Sequence, residues 1–322
     1  MPFPTFPLLK LPYLCIECVF KNAEVSDIVF FALISKKSRQ IVKTLKIHLN
    51  RVQIFLAKYK WITLGCATKT WEFRHGKEEC GNSLVLQKDA RPLYARRNNQ
   101  SLHSYTTGNK VTALTMALEH LQELFECSIE EVYIDVREIP KSGKIGVSST
   151  VDVHITGQQT VDNQILKSFL NNLEVLGNCE LEIPIPEDFS YDPKLFNCYY
   201  LQFSNEKSAD WITKEVLLQF DVPQLYFYYH RFSVDDIVSF ITQWFNSESR
   251  TLDLLYLRFK DAVTLDNFQI QDLNPMPFSE ERRSRRAGKV PFMWEDLSTG
   301  LDIIRSDGLL ATLWVDVQAN PQ

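Results

Sequence analysis

The sequence predicts an α+β protein: a small N-terminal three-helix unit over residues 1–50, a β-rich connector over 51–110, and an α/β repeat-like domain of alternating helices and strands over 111–322. Three observations predict it. The stretch from Phe6 to Ile47 is largely apolar at helical spacing. The segment after it breaks into short runs rich in β-branched and aromatic residues. From Leu114 onward, helix-period apolar faces are followed by stretches in which every second residue is apolar.

Pro12 stands where a first helix begins, a position whose N–H is unpaired anyway. That helix is predicted over Pro12 to Lys21, with Tyr13, Glu17 and Lys21 on one narrow stripe and apolar residues around the rest of the circumference. Ser26 or Asp27 is the expected cap of a second helix, whose body from Ile28 to Ile34 has no polar residue. Ser35 is the expected cap of a third, in which Ile41, Val42, Leu45 and Leu49 repeat at helical spacing and Lys36, Lys37, Arg39 and Gln40 are solvated. About forty residues bury too small a fraction of their surface to stand alone. Some of these side chains must meet another surface, either elsewhere in the chain or on a second protein.

Strands or hairpins are expected at Tyr59–Leu64, Thr70–Arg74 and Ser83–Gln87, and the polar run Arg91–Lys110 reads as a loop or linker. Then the alternation starts. Leu114, Ala117, Leu118, Leu121, Leu124 and Phe125 form a helical face before Val132, Ile134 and Val136; Ile165 to Leu176 form another, with Gly177 as its stop, before Leu181, Ile183 and Ile185. A strand near Tyr199–Phe203 leads through a helix with Ile212, Val216 and Leu217 to a strand over Leu225–His230. Ser233 and Asp236 predict a capping box, with Phe232 and Ile237 as its hydrophobic staple, and a strand over Leu252–Phe259 follows. Strands joined by single helices favour parallel pairing through right-handed crossovers. A final hairpin is expected across Gly308.

A net charge of −5 argues against general nucleic-acid binding, and no apolar run reaches membrane-spanning length. The expected setting is the cytoplasm, the nucleus or both. Seven widely spread cysteines read as reduced thiols, and Cys15-x-x-Cys18 or Cys66, His75 and Cys80 as structural residues, so no metal or cofactor is expected. The sequence has no Gly-x-Gly-x-x-Gly, phosphate loop, His-Glu-x-x-His or Gly-x-Ser-x-Gly. A non-catalytic protein is therefore expected, against the alternative of a hydrolase assembled only in space.

The Leu11-Pro12 pair, the apolar helix carrying Glu17, the Ile28–Leu33 run and the Ser35-Lys36-Lys37 turn resemble the F-box, the docking motif of substrate receptors in SCF-type ubiquitin ligases. The stretch from Phe232 to Phe259 and the later Asp302–Gly308 resemble the F-box-associated domain of a family expanded in nematodes. The resemblance implies docking on a Skp-family adaptor, and through it on a cullin–RING ligase, with Leu8, Leu11, Pro12, Ile16, Val19, Phe20 and Leu33 as adaptor-binding residues. It also implies an unidentified protein target bound by the C-terminal domain. The alternative is a stand-alone α/β repeat scaffold.

For the target, the aromatic strand draws attention, because tyrosine gives large rigid contact area with a polar tip. Tyr226, Tyr228, His230, Tyr256 and Arg258 are the candidate substrate-binding residues; a central strand sandwiched by helices is the simpler explanation of the same pattern. The Arg282-Arg283-Ser284-Arg285-Arg286 run reads either as an import or anion-binding signal or as a solvated loop balanced by Glu280 and Glu281.

Overall fold

The structure is a computed structural model and describes residues 11–65, 70–75, 84–88, 91–98, 101–106, 109–284 and 297–315. It divides into two compact units, residues 1–156 with 164–176, and residues 157–163 with 177–322.

The first unit opens with helices α1 (Tyr13–Lys21), α2 (Val25–Ile34) and α3 (Lys36–Thr44). Pro12 is the residue before α1, as its chemistry requires, and Ser35 caps α3 by accepting the Ser38 N–H at 3.0 Å. The predicted cap of α2 is corrected: the helix starts earlier, at Val25, and Ser26 is buried inside its first turn. Ile28, Val29, Ala32 and Leu33 of α2 are buried, together with Ile16 and Phe20 of α1 and Val42 of α3.

Next come β1 (His48–Leu56), β2 (Lys60–Leu64), β3 (Thr70–His75), β4 (Leu84–Lys88), β5 (Arg91–Asn98), β6 (Ser101–Thr106), α4 (Lys110–Leu124), β7 (Glu126–Asp135), β8 (Ser149–Thr150), β9 (Asp152–Thr156), α5 (Asn163–Asn172) and β10 (Glu174–Val175). The sheet order is β9-β7-β1-β2-β3-β6-β5-β4, and β8 pairs separately with β10. Strands β9, β7 and β1 run parallel, whereas β1, β2 and β3 form an antiparallel meander. Two expectations fail here. Leu49 belongs to β1 and not to the third helix, because α3 ends at Thr44 and Lys46 takes a left-handed conformation, φ 45°, that redirects the chain. The polar run after Arg91 is no linker: β5 pairs antiparallel with both β4 and β6.

Helix α4 lies on β2, β3, β6 and β7, and the strands answer with a dry face of Val52, Ile54, Leu56, Ile62, Val132 and Ile134. It also touches α3, so the N-terminal helices are seated on the sheet by their own chain. Lys43 of α3 donates to Glu123 of α4 at 2.5 Å. Beside this pair His120 is only 4% exposed, and its Nε2 has no hydrogen-bond partner.

The second unit contains β11 (Asn178–Glu182), β12 (Tyr200–Phe203), α6 (Lys214–Leu217), β13 (Gln224–Phe227), α7 (Val234–Asn246), β14 (Leu254–Leu257), β15 (Met276–Pro277), α8 (Glu280–Ser284), β16 (Leu301–Ile304) and β17 (Leu310–Leu313). As predicted, β11, β12, β13 and β14 are parallel neighbours in chain order. Their register aligns Cys179, Leu201, Leu225 and Leu255, then Leu181, Phe203, Phe227 and Leu257, on one face. All of these are buried except the half-buried edge residues Leu255 and Leu257. Phe196, Trp211, Phe220 and Phe232 pack their rings against Phe203 or Phe227. The predicted capping box opens α7: Ser233 Oγ accepts the Asp236 N–H at 3.2 Å, and Asp236 accepts the Ser233 N–H at 2.9 Å.

The hairpin across Gly308, φ 85°, is also present as β16 and β17. Arg305, 4% exposed, reaches from it to the end of α7, where its guanidinium donates to the Trp244 and Ser249 carbonyls at 3.3 and 2.6 Å and lies over the Trp244 ring. Asp302 is fully buried and accepts from the Ser279 N–H at 3.2 Å, from the Thr312 hydroxyl at 2.8 Å and from Arg282. Arg282 is therefore tied into the fold, while Arg285 and Arg286 lie outside the described residues.

Two outcomes test this packing. Burial, then the positive field of Arg39, pushes His120 down to about 4 from 6.5. A histidine whose folded pKa lies below its unfolded one contributes stability that is complete above about pH 6.5 and is lost as the pH falls towards 4, here up to about 3 kcal/mol. Thermal melts across that window should therefore drop less steeply for His120→Leu than for the parent. At Gly143, φ 67°, an added Cβ would sit 2.6 Å from the backbone of Ser168 and Phe169. Gly143→Ala should cost on the order of 2 kcal/mol or more in denaturant unfolding, since backbone cannot move aside cheaply.

Candidate protein-docking surfaces

On α1 the helical period decides which side chains stay outside. Ile16 and Phe20, four apart, point into the three-helix core, and Phe20 packs on Phe31 of α2 with ring centroids 4.9 Å apart. One step around the helix, Cys15 and Val19 form a row, and Leu14 and Cys18 form the next, roughly opposite the core-facing pair; all four are exposed. Tyr13 is 49% exposed, Leu14 71%, Val19 44% and Ile34, at the end of α2, 55%. The Tyr13 hydroxyl donates to the Thr44 carbonyl at 3.0 Å, which fixes the start of α1 against the end of α3. Glu17 and Lys21 pair at 2.7 Å. What remains is a strip of apolar and thiol side chains on a rigid helix, a kind of surface that marks an interaction site when it is contiguous.

The sequence-predicted residues divide accordingly. Pro12 and Val19 are exposed and Leu11 is half-buried. Ile16, Phe20 and Leu33 are at most 7% exposed and serve the internal core. Leu8 lies outside the described residues. Sequence reasoning passed over Leu14, Cys15, Cys18 and Ile34; the signal was the four-residue spacing within Cys15–Val19 and Leu14–Cys18, one and two positions away from Ile16–Phe20.

The second surface is the other face of the parallel strands in the second unit. Alternation turns Tyr226, Tyr228 and Tyr256 away from the buried Phe227 row. Tyr226 lies 5.6 Å from Tyr256, Tyr228 lies 5.5 Å from Tyr256, and Tyr200 of β12 adds a ring 4.5 Å from Tyr226. The Tyr200 hydroxyl donates to Gln202. Its phenol is raised above the ordinary tyrosine range by burial, with Tyr228, Glu180 and Tyr226 adding to the effect. Arg258 is exposed just beyond β14.

His230 does different work. It follows the end of β13, its Nδ1 accepts the Phe232 N–H at 3.2 Å, and its ring meets Phe259 edge-on at 4.9 Å. Burial, then Lys260, pushes it down to about 4.

Cys15, Cys18, Cys127, Cys179 and Cys198 are free thiols, and no group able to hold a metal is found among the described residues. Cys66 and Cys80 lie outside them. No helix among the described residues is long and apolar enough to cross a membrane.

The helical unit with its outward strip coincides with a family match: the F-box domain family covers residues 8–50. The chain carries an F-box. F-box domains as a class bind Skp-family adaptors, and F-box proteins are in general non-catalytic adaptors of SCF-type ligases. The chain as a whole is similar to proteins of Caenorhabditis elegans. One uncharacterized protein is 29% identical over 115 residues, 35% of this chain and 26% of that protein. A second is 20% identical over 338 residues, 96% of this chain and 74% of that protein. The Skn-1 dependent zygotic transcript 15 protein is 23% identical over 234 residues, 65% of this chain and 66% of that protein. The chain thus spans about a quarter of the first relative's length and most of the second's. No solved structure matches it.

The division of the F-box into core and surface residues has a direct readout. Ile16→Ala and Phe20→Ala should each lower stability by about 2–5 kcal/mol, whereas Leu14→Ala and Val19→Ala should stay within about 0.5 kcal/mol of the parent. Chemical denaturation of the four variants checks the ordering.

Proposed function

We propose that the protein is a substrate receptor of an SCF-type ubiquitin ligase: its F-box docks on a Skp-family adaptor through the outer strip of α1 and the end of α2, and its second unit binds a target protein. The observation that supports this most is that Tyr13, Leu14, Val19 and Ile34 remain exposed after the three helices have buried their own core. An isolated domain gains nothing by keeping such side chains on a folded surface; a partner that covers them gains roughly 25 cal/mol for each Å² of apolar area removed from water. Pro12 and the half-buried Leu11 adjoin this strip in sequence.

On the target side, the reading rests on the tyrosine cluster of Tyr200, Tyr226, Tyr228 and Tyr256 with Arg258 beyond it. Tyrosine and arginine are over-represented among residues that dominate binding energy. His230 has a structural role in this reading, since it holds the Phe232 backbone. The receptor itself performs no chemistry. It raises the rate of ubiquitin transfer by holding the target near an enzyme carried elsewhere in the assembly.

Co-purification with a Skp-family adaptor tests the docking half. Leu14→Glu and Ile34→Glu should each reduce adaptor capture by at least about tenfold with the thermal melt unchanged, because each buries an unpaired charge in the interface. Capture equal to the parent in both variants would remove this strip from the interface and favour a stand-alone scaffold.

A further inference from the structure

We infer that the seam between α3 and α4 is a binding site for a small oxyanion of the sulfate and phosphate class, held by the Arg39 guanidinium and the His120 imidazole. Arg39 and Lys43 stand four apart on α3 and therefore share a face, as do His120 and Glu123, three apart on α4. Lys43 and Glu123 join the two faces at 2.5 Å, and Glu123 also lies 3.9 Å from His120 Nδ1. One turn back from that ion pair, Arg39 and His120 are the residues left opposite each other. The field of Arg39 reaches both the His120 ring and the Glu123 carboxylate, so the four side chains form one cluster.

Two donors in this cluster are buried and unanswered. His120 is only 4% exposed and its Nε2 has no hydrogen-bond partner; the Nε of the half-buried Arg39 is buried and has none either. A buried donor without an acceptor costs free energy, so native folds supply one. The charges point the same way. Lys43 and Glu123 cancel, and Lys60, the buried cation of β2 beneath α4, is spent on Glu138 at 2.8 Å. Glu119, beside His120 in sequence, is exposed and has a partner of its own. Arg39 forms no ion pair among the described residues, so the seam keeps one positive charge that no carboxylate there answers. A water molecule answers the donors but not the charge; an anion answers both.

Two donors of different shape on opposite walls select the occupant. A guanidinium offers parallel N–H groups to two oxygens of one anion, and charge-assisted bonds of this kind are the strong ones. A tetrahedral oxyanion keeps a further oxygen for the imidazole Nε2–H, whereas chloride has one centre for all of them. His120 closes the floor of the seam at 4% exposure, so a free ion fits and an acidic side chain carried on a partner's backbone does not reach it. Among the described residues Arg39, Glu123 and Lys43 are the charged groups that act on the ring, and burial with the field of Arg39 keeps it neutral at pH 7. An anion between the two groups offsets Arg39 and favours the imidazolium, so binding takes up a proton as the pH falls. Glu123, held below the usual carboxylate range by Lys43, stays ionised meanwhile.

The test is calorimetric titration of the full chain with sodium sulfate, because sulfate keeps its charge across the pH range used and inorganic phosphate does not. Sulfate should bind saturably with a dissociation constant on the order of 1 mM or tighter, and sodium chloride at equal ionic strength should not. Affinity should rise severalfold between pH 7 and about 5.5, a rise that His120→Leu should abolish. Arg39→Gln should weaken sulfate at least about tenfold, whereas Lys144→Gln, which removes the same charge from an exposed position of the same unit, should leave it unchanged. Absent saturation, an equal chloride response, unchanged affinity in Arg39→Gln or an equal loss in the Lys144 control overturns the inference. If either seam variant fails to fold, the pH profile of the parent decides, and a flat profile there is equally fatal. Adaptor capture plays no part in this readout, so the anion site and the receptor function stand or fall separately.

Discussion

Helix α2 imposes the governing constraint on the N-terminal half of the molecule. From Ile28 to Ile34 it offers no polar side chain, so it must be enclosed. Residues Ile16 and Phe20 of α1 and Val42 of α3 are buried with it, and the sheet carries the assembly through contacts with both α2 and α3's neighbour α4. Once α1 has committed one face to this task, the next two rows of its circumference have nowhere else to go. The exposed strip is thus a geometric by-product of enclosing α2, and it lies on a helix whose orientation is fixed from both sides of its start, by Pro12 before it and by the Tyr13–Thr44 hydrogen bond. A preorganised face of this kind loses little conformational entropy on association.

Sheet alternation produces the outer face of each unit's strands by the same logic. In each unit one face of the strands is dry, and period-two geometry then sends every second residue to the opposite side. There the side chains are tyrosine, tryptophan, histidine, glutamine and carboxylates, a composition with rigid area and polar tips in place of aliphatic bulk. Such residues are half-buried by their own neighbours in the row, which explains how large rings remain compatible with a solvent-facing surface.

Much of this was legible in the sequence wherever the signal was local. The Ser35 cap, the Ser233–Asp236 box and the chain-ordered parallel strands of the second unit each depend on residues a few positions apart or on strict alternation. Legibility failed where the deciding interaction is distant. Leu49 fits a helical face as well as a strand, and only the left-handed turn at Lys46 and the pairing of β1 with β7 settle it. The Arg91–Asn98 run looks like a linker because its polarity is high, yet it is satisfied by hydrogen bonds to strands on both sides. Around the exposed strip, the resemblance to the F-box nominated Ile16, Phe20 and Leu33 alongside Val19. Which of these point inward depends on the placement of α2, which the motif residues of α1 by themselves do not contain.

The chain-ordered strands of the second unit carry a consequence of their own. Each of β12 and β13 bonds only to the strand before it and the strand after it, and every crossover returns the chain to the same edge. A complete strand-plus-return module can therefore be gained or lost at the open edge beyond β14 without rewiring any bond already made. Such an architecture lets lineages lengthen or shorten this sheet while the three N-terminal helices at the other end of the polypeptide stay as they are.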